Sequence, residues 1–119
     1  MTRLTKRRRM TDAEMDRHIR YCEEVGDANK LHNSQWSISE VSDFEAEHPF
    51  GKRTVLLYDS HPGWGEPSGE FKADIKGKRW LDLWIAADEI LGACGDKHHV
   101  FIEVFEDAGP GKLRFLCGS

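Results

Sequence analysis

Residues 79–93 read RWLDLWIAADEILGA, and the fold turns on how they are wound. At helical periodicity Trp80, Leu83, Trp84, Ala87, Ile90 and Leu91 fall on one broad face, while Asp82, Asp88 and Glu89 take the other side. Gly92 and Gly95 supply the stop. Two tryptophans four residues apart need a large apolar surface to cover them, so this helix is expected to be the central packing element, laid against a sheet.

The flanking sequence supplies that sheet. Residues 54–59 (TVLLYD) are β-branched and aromatic, bounded by His48-Pro49-Phe50-Gly51 and by His61-Pro62-Gly63. Residues 70–76 alternate Phe71, Ala73 and Ile75 with Lys72, Asp74 and Lys76, the pattern of a strand with one wet face, and Gly77 breaks it. Beyond the helix, residues 99–106 and 112–117 read as two strands, and the five residues Asp107–Gly111 between them suit a hairpin. Upstream, Thr11-Asp12-Ala13-Glu14 fits a capping box, and Met15, Ile19, Cys22 and Val25 mark a narrow apolar stripe that ends at Gly26. Residues 28–35 form a polar connector. Residues 36–47 carry both signals: Trp36 and Ile38 alternate as in a strand, whereas Ile38, Val41 and Phe44 are spaced as in a helix. A strand with a bulge or short terminal turn is the expectation there.

The order is α-β-β-β-α-β-β, its first strand the least defined. Short connections imply an α+β domain with a mainly antiparallel sheet of four to five strands and two helices packed on one face. The α-β-β-β-α portion is shared with double-stranded-RNA-binding domains, but their basic loops and helix-end lysines are absent, so only topology is shared. Residues 1–10 are expected to be a flexible basic tail and residues 11–119 one domain, in keeping with a length of 119 residues.

Composition narrows the function classes. A mean hydropathy of −0.62 and the lack of any long apolar run exclude a membrane-spanning helix. The N-terminus has no apolar stretch behind its charges, and three widely spaced cysteines (Cys22, Cys94, Cys117) form neither a disulfide framework nor a cysteine zinc site, so a cytoplasmic protein with buried thiols is expected. Residues 1–10 hold five basic groups and no acid; the other 109 hold 12 basic and 21 acidic groups. A nucleic-acid-binding body would show the opposite sign.

Chemistry-bearing residues are sparse. The stretch from Ser60 to Gly69 is long for a hairpin connection and presents Trp64 between glycines, with His61 and Glu66 beside it. Tryptophan is enriched at binding hot spots, although Trp64 folded back over a core edge would look the same. Glu14, Glu23, Glu24 and Asp27 give the first helix an acidic rim that suits a basic partner, against the plainer reading of a solvated face. The expected function is therefore protein–protein binding of an adaptor or inhibitor type, as in small accessory proteins of phages or mobile elements, with Trp64, His61, Glu66 and the acidic rim as contacts.

Two other readings stand beside it. Lys6, Arg7, Arg8 and Arg9 suit phosphates, giving a nucleic-acid binder without sequence preference. Asp59, His61 and His99 suit a metal if their two strands are neighbours, although no ligand spacing such as HExxH supports a metal-dependent enzyme. No nucleophile elbow surrounds Ser60 or Ser68, and Cys94 lies past a helix C-terminus, where the dipole disfavours a thiolate. No cofactor is expected. Strand edges such as residues 112–117 could pair two copies into a homodimer.

Overall fold

A computed structural model describes residues 11–37, 41–60, 69–95 and 97–118. The elements are α1 (Asp12–Ala28), β1 (Gln35–Trp36), β2 (Val55–Ser60), β3 (Gly69–Asp74), α2 (Trp80–Cys94), β4 (Phe101–Asp107) and β5 (Lys112–Gly118). They build the expected α+β domain. The sheet is mixed, in the order β1-β4-β5-β2-β3. β2 and β3 form one antiparallel hairpin and β4 and β5 another, while β1 runs parallel to β4 and β2 parallel to β5. Contrary to the sequence expectation, residues 112–117 are not an edge. The helical crossover from β3 to β4 sets the second hairpin beside β2, so β5 is paired on both sides and the edges are β1 and β3.

One face of the sheet forms the core. Leu56 and Tyr58, Ala73, Ile102 and Phe105, and Leu113, Phe115 and Cys117 are all buried on it. Ile102 and Phe105 are three apart and would face opposite ways in a regular strand. A bulge between Ile102 and Val104 restores both to the core. Tyr58 stacks on Phe115 with ring centroids 4.6 Å apart. All three cysteines are buried.

α2 is more deeply enclosed than its sequence pattern implies. Asp82 and Asp88, expected on a solvent face, are both buried. Each is a strut. Asp82 accepts the Arg79 backbone N–H at 3.0 Å and the Arg79 guanidinium at 3.0 and 2.9 Å, which closes the helix start. These hydrogen bonds from Arg79 hold the Asp82 carboxyl below the usual carboxylate range. A Cβ on Gly77 would lie 2.3 Å from Asp82 Oδ2, so this close approach requires glycine. Asp88 accepts the Asn33 backbone N–H at 2.8 Å and the Ser34 hydroxyl at 2.9 Å, and Ser34 in turn accepts the Trp84 indole N–H at 3.0 Å. The helix ends on Gly95 in the left-handed conformation, as expected.

The segment 36–47 departs from the expected strand. Only Gln35 and Trp36 pair with β4; residues 38–40 lie outside the described residues, and from Val41 the chain caps α2. The first amides of that helix have no intrahelical acceptor, and Trp80 and Leu81 donate theirs to the Ala46 and Phe44 carbonyls at 3.0 Å each. His48 completes the junction: buried between Phe50 and Trp80, its Nδ1 accepts the Phe50 N–H at 3.2 Å.

α1 begins with the expected capping box between Thr11 and Glu14. It runs past Gly26 to Ala28, because Gly26 is buried within the helix, where a Cβ would already be in contact with the Trp84 ring. Only the C-terminal half of the apolar stripe is covered: Cys22 is buried and Val25 half-buried, whereas Met15 and Ile19 are 39% and 49% exposed. Among the described residues no helix is long and apolar enough to cross a membrane.

Candidate protein-binding groove

The exposed stripe of α1 borders a groove of about 840 Å³ between that helix and β1. Its apolar lining comes from Ile19 and Cys22 on α1, Leu31 in the connector, Trp36 on β1, Trp84 on α2 and Phe101 at the start of β4. The floor is a packed aromatic cluster. Trp36 lies 5.0 Å from Phe44, 5.6 Å from Trp84 and 5.8 Å from Trp80, ring centroid to centroid. Tyr21 anchors α1 to this cluster, its hydroxyl accepting the Phe44 N–H at 2.9 Å. The Asp88–Ser34–Trp84 chain pins the connector that forms one wall.

The polar lining includes Glu23 and Asp27, four residues apart and therefore on one side of α1. With Glu24 they place three carboxylates near the C-terminus of a helix whose last turn has no basic residue. Helix carbonyls already make that end negative, so Asp27, which lies in the last turn, costs helix stability, roughly 0.3–1 kcal/mol. His18 and His32 complete the lining.

Cys22 Sγ lies 3.6 Å from His18 Nε2. Burial, reinforced by Glu23, pushes the Cys22 thiol up to about 11. It is therefore protonated at neutral pH and is no thiolate nucleophile. Among the described residues, no group of three or more histidine, cysteine or acidic side chains is placed to hold a metal ion.

The residues singled out in the sequence separate. Glu23 and Asp27 line the groove; Glu24 is exposed beside it; Glu14 lies at the far end of α1, accepting the Thr11 N–H at 2.8 Å. His61, Trp64 and Glu66 lie outside the described residues, as do Lys6, Arg7, Arg8 and Arg9. Asp59 is on the outer face of the sheet, 3.7 Å from Arg114 Nε. His99 is half-buried just before β4. The two strands beside Asp59 and His99 are not neighbours, because β5 runs between β2 and β4. The groove itself was hidden in the sequence: Leu31 and His32 sit in a connector read as polar, and the one visible signal was a helix stripe too narrow to bury all its members.

Comparison of the chain with protein-family models, with curated proteins and with solved structures found no match.

Proposed function

We propose that this chain is a cytoplasmic protein-binding domain, of adaptor or inhibitor type, whose α1–β1 groove receives a basic segment with an apolar anchor from a partner protein. One observation carries the reading: an apolar-floored groove is rimmed by carboxylates crowded at the negative end of α1. Asp27, in the last turn, opposes the helix dipole, and a cationic partner relieves that repulsion and pairs with Glu23 beside it. The exposed Ile19 offers a contact whose loss leaves the fold intact. Trp64, with His61 and Glu66, is a second proposed contact, argued from the sequence, and Glu14 and Glu24 extend the acidic rim that steers approach.

The test is selection of the 119-residue chain against a random peptide display library, followed by affinity measurement on the enriched peptides. Enriched peptides carry Lys or Arg around an aliphatic or aromatic residue, bind more weakly as salt rises, and lose affinity with Ile19→Glu and with Glu23→Lys/Asp27→Lys. Trp64→Ala weakens binding by more than ~1 kcal/mol without loss of stability. Peptides indifferent to the α1 variants, or no enrichment at all, refute the groove. Binding of nucleic acid that disappears on deletion of residues 1–9 moves the function to Lys6–Arg9 instead, and retention of stoichiometric zinc by the purified protein moves it to the Asp59/His61/His99 reading.

A further inference from the structure

The apolar stripe of α1 runs on from the groove toward the start of the helix. Its exposed members, Met15 and Ile19, lie between Thr11 and Cys22. A row of carboxylates runs beside it. Asp12, Asp16, Glu23 and Asp27 are four, seven and four residues apart. At about 100° per residue they span about 60° of the helix surface, on the side of Ile19 away from Cys22, and all four are exposed. Arg20 borders the row, so four acids and one base leave a net charge of −3.

An apolar stripe flanked by acids fits a segment that joins apolar side chains to dense positive charge, and the chain carries one. Residues 1–10, outside the described residues, read MTRLTKRRRM, with Leu4 and Met10 among Arg3, Lys6, Arg7, Arg8 and Arg9 and no acid. Thr11 is the N-cap of α1, so this segment is joined to the helix where the stripe begins. Its length suffices. Ile19 and Glu23 stand about 12 and 18 Å along the helix axis from Thr11. An extended chain covers about 3.3 Å per residue, so Leu4, seven residues from Thr11, reaches about 16 Å even with two residues spent on reversing direction. On the same count Arg3 comes level with Glu23, and Lys6 and Arg7 with Asp16. Tethering supplies a millimolar effective concentration, so a weak contact is enough to populate the closed form.

We propose that residues 1–10 fold back along α1 and occupy the α1–β1 groove of their own chain, Leu4 against Ile19 and the basic side chains along the carboxylate row. The segment thereby competes with the partner and sets how tightly it binds. The inference rests on the groove reading and adds the regulator of that site.

Two measurements test it. A nitroxide on Thr2→Cys, with the three native cysteines buried, broadens the backbone amide signals of Ile19, Glu23 and Leu31 in its own chain. The broadening is lost with Leu4→Glu and with Glu23→Lys/Asp27→Lys, and it is absent from an unlabelled chain mixed with the labelled one. Broadening spread evenly over the domain, or present only in the mixture, overturns the proposal. The second probe is a fluorescein-labelled peptide of residues 1–10, read by anisotropy. It binds the chain lacking residues 1–9, and the 119-residue chain with Leu4→Glu, on the order of three- to tenfold more tightly than the unaltered chain. A groove open a third to a tenth of the time loses that factor in apparent affinity. Equal affinity for the three forms, or binding to none, overturns the proposal. Library-selected peptides then separate the two ideas: if they still require Ile19, Glu23 and Asp27, only the place of residues 1–10 falls, and if they do not, the groove falls with it.

Discussion

Replacing Asp88 by alanine tests the strut that holds the groove wall. Oδ1 of Asp88 accepts the Asn33 backbone N–H at 2.8 Å and the buried Ser34 hydroxyl at 2.9 Å, and Ser34 accepts the Trp84 indole at 3.0 Å. Among the described residues, Oδ2 makes a single long contact, 3.4 Å to Asn33 Nδ2. Alanine strips two donors of their acceptor, and a buried unsatisfied donor costs about 1–3 kcal/mol. With water reaching the amide of the exposed Asn33, the expected loss is about 3 kcal/mol, and the melting temperature falls on the order of 10–15 °C. Asp88→Asn keeps an oxygen at the Oδ1 position and forfeits only the long contact, so its expected cost is about 1 kcal/mol. Urea denaturation measures both, with an unchanged denaturant slope showing that the unfolded state is unaffected. A Ser34→Ala/Asp88→Ala double-mutant cycle then shows whether the two act as one unit. If Asp88→Ala costs less than about 1 kcal/mol, or no more than Asp88→Asn, the carboxylate is not the keystone of this connection.

Further outcomes follow from the same geometry. Gly77→Ala forces a Cβ to within 2.3 Å of Asp82 Oδ2, and chemical denaturation is expected to show a loss of about 1–3 kcal/mol. Burial holds His48 below its ordinary value of 6.5, so the stability it supports is intact above that pH and declines as the pH falls toward its folded-state value. Thermal melts across pH show this step, and it is absent in His48→Asn. Asp82, held below its ordinary 3.8 by Arg79, adds a second decline at more acidic pH, as protons compete for the Arg79 pair. Cys22, with its thiol near 11, reacts with iodoacetamide far more slowly in the folded protein at neutral pH than in urea; equal rates contradict the burial of the thiol.

The local elements were legible because their causes are local. The capping box at Thr11–Glu14, the alternation of Phe71, Ala73 and Ile75, and the paired tryptophans of α2 each depend on neighbours a few residues away. Tertiary structure decided what depends on distant partners. It placed β5 in the middle of the sheet, because strand order follows the crossover and not the strand's own sequence. It buried Asp88, since a carboxylate enters a core only where donors converge on it, and nothing near Asp88 in sequence announces Ser34. It turned residues 44–46 to the start of α2, whose unpaired amides take the Phe44 and Ala46 carbonyls. The groove has the same origin: Ile19, Leu31, Trp36 and Phe101 come from four segments, and only packing brings them to one surface.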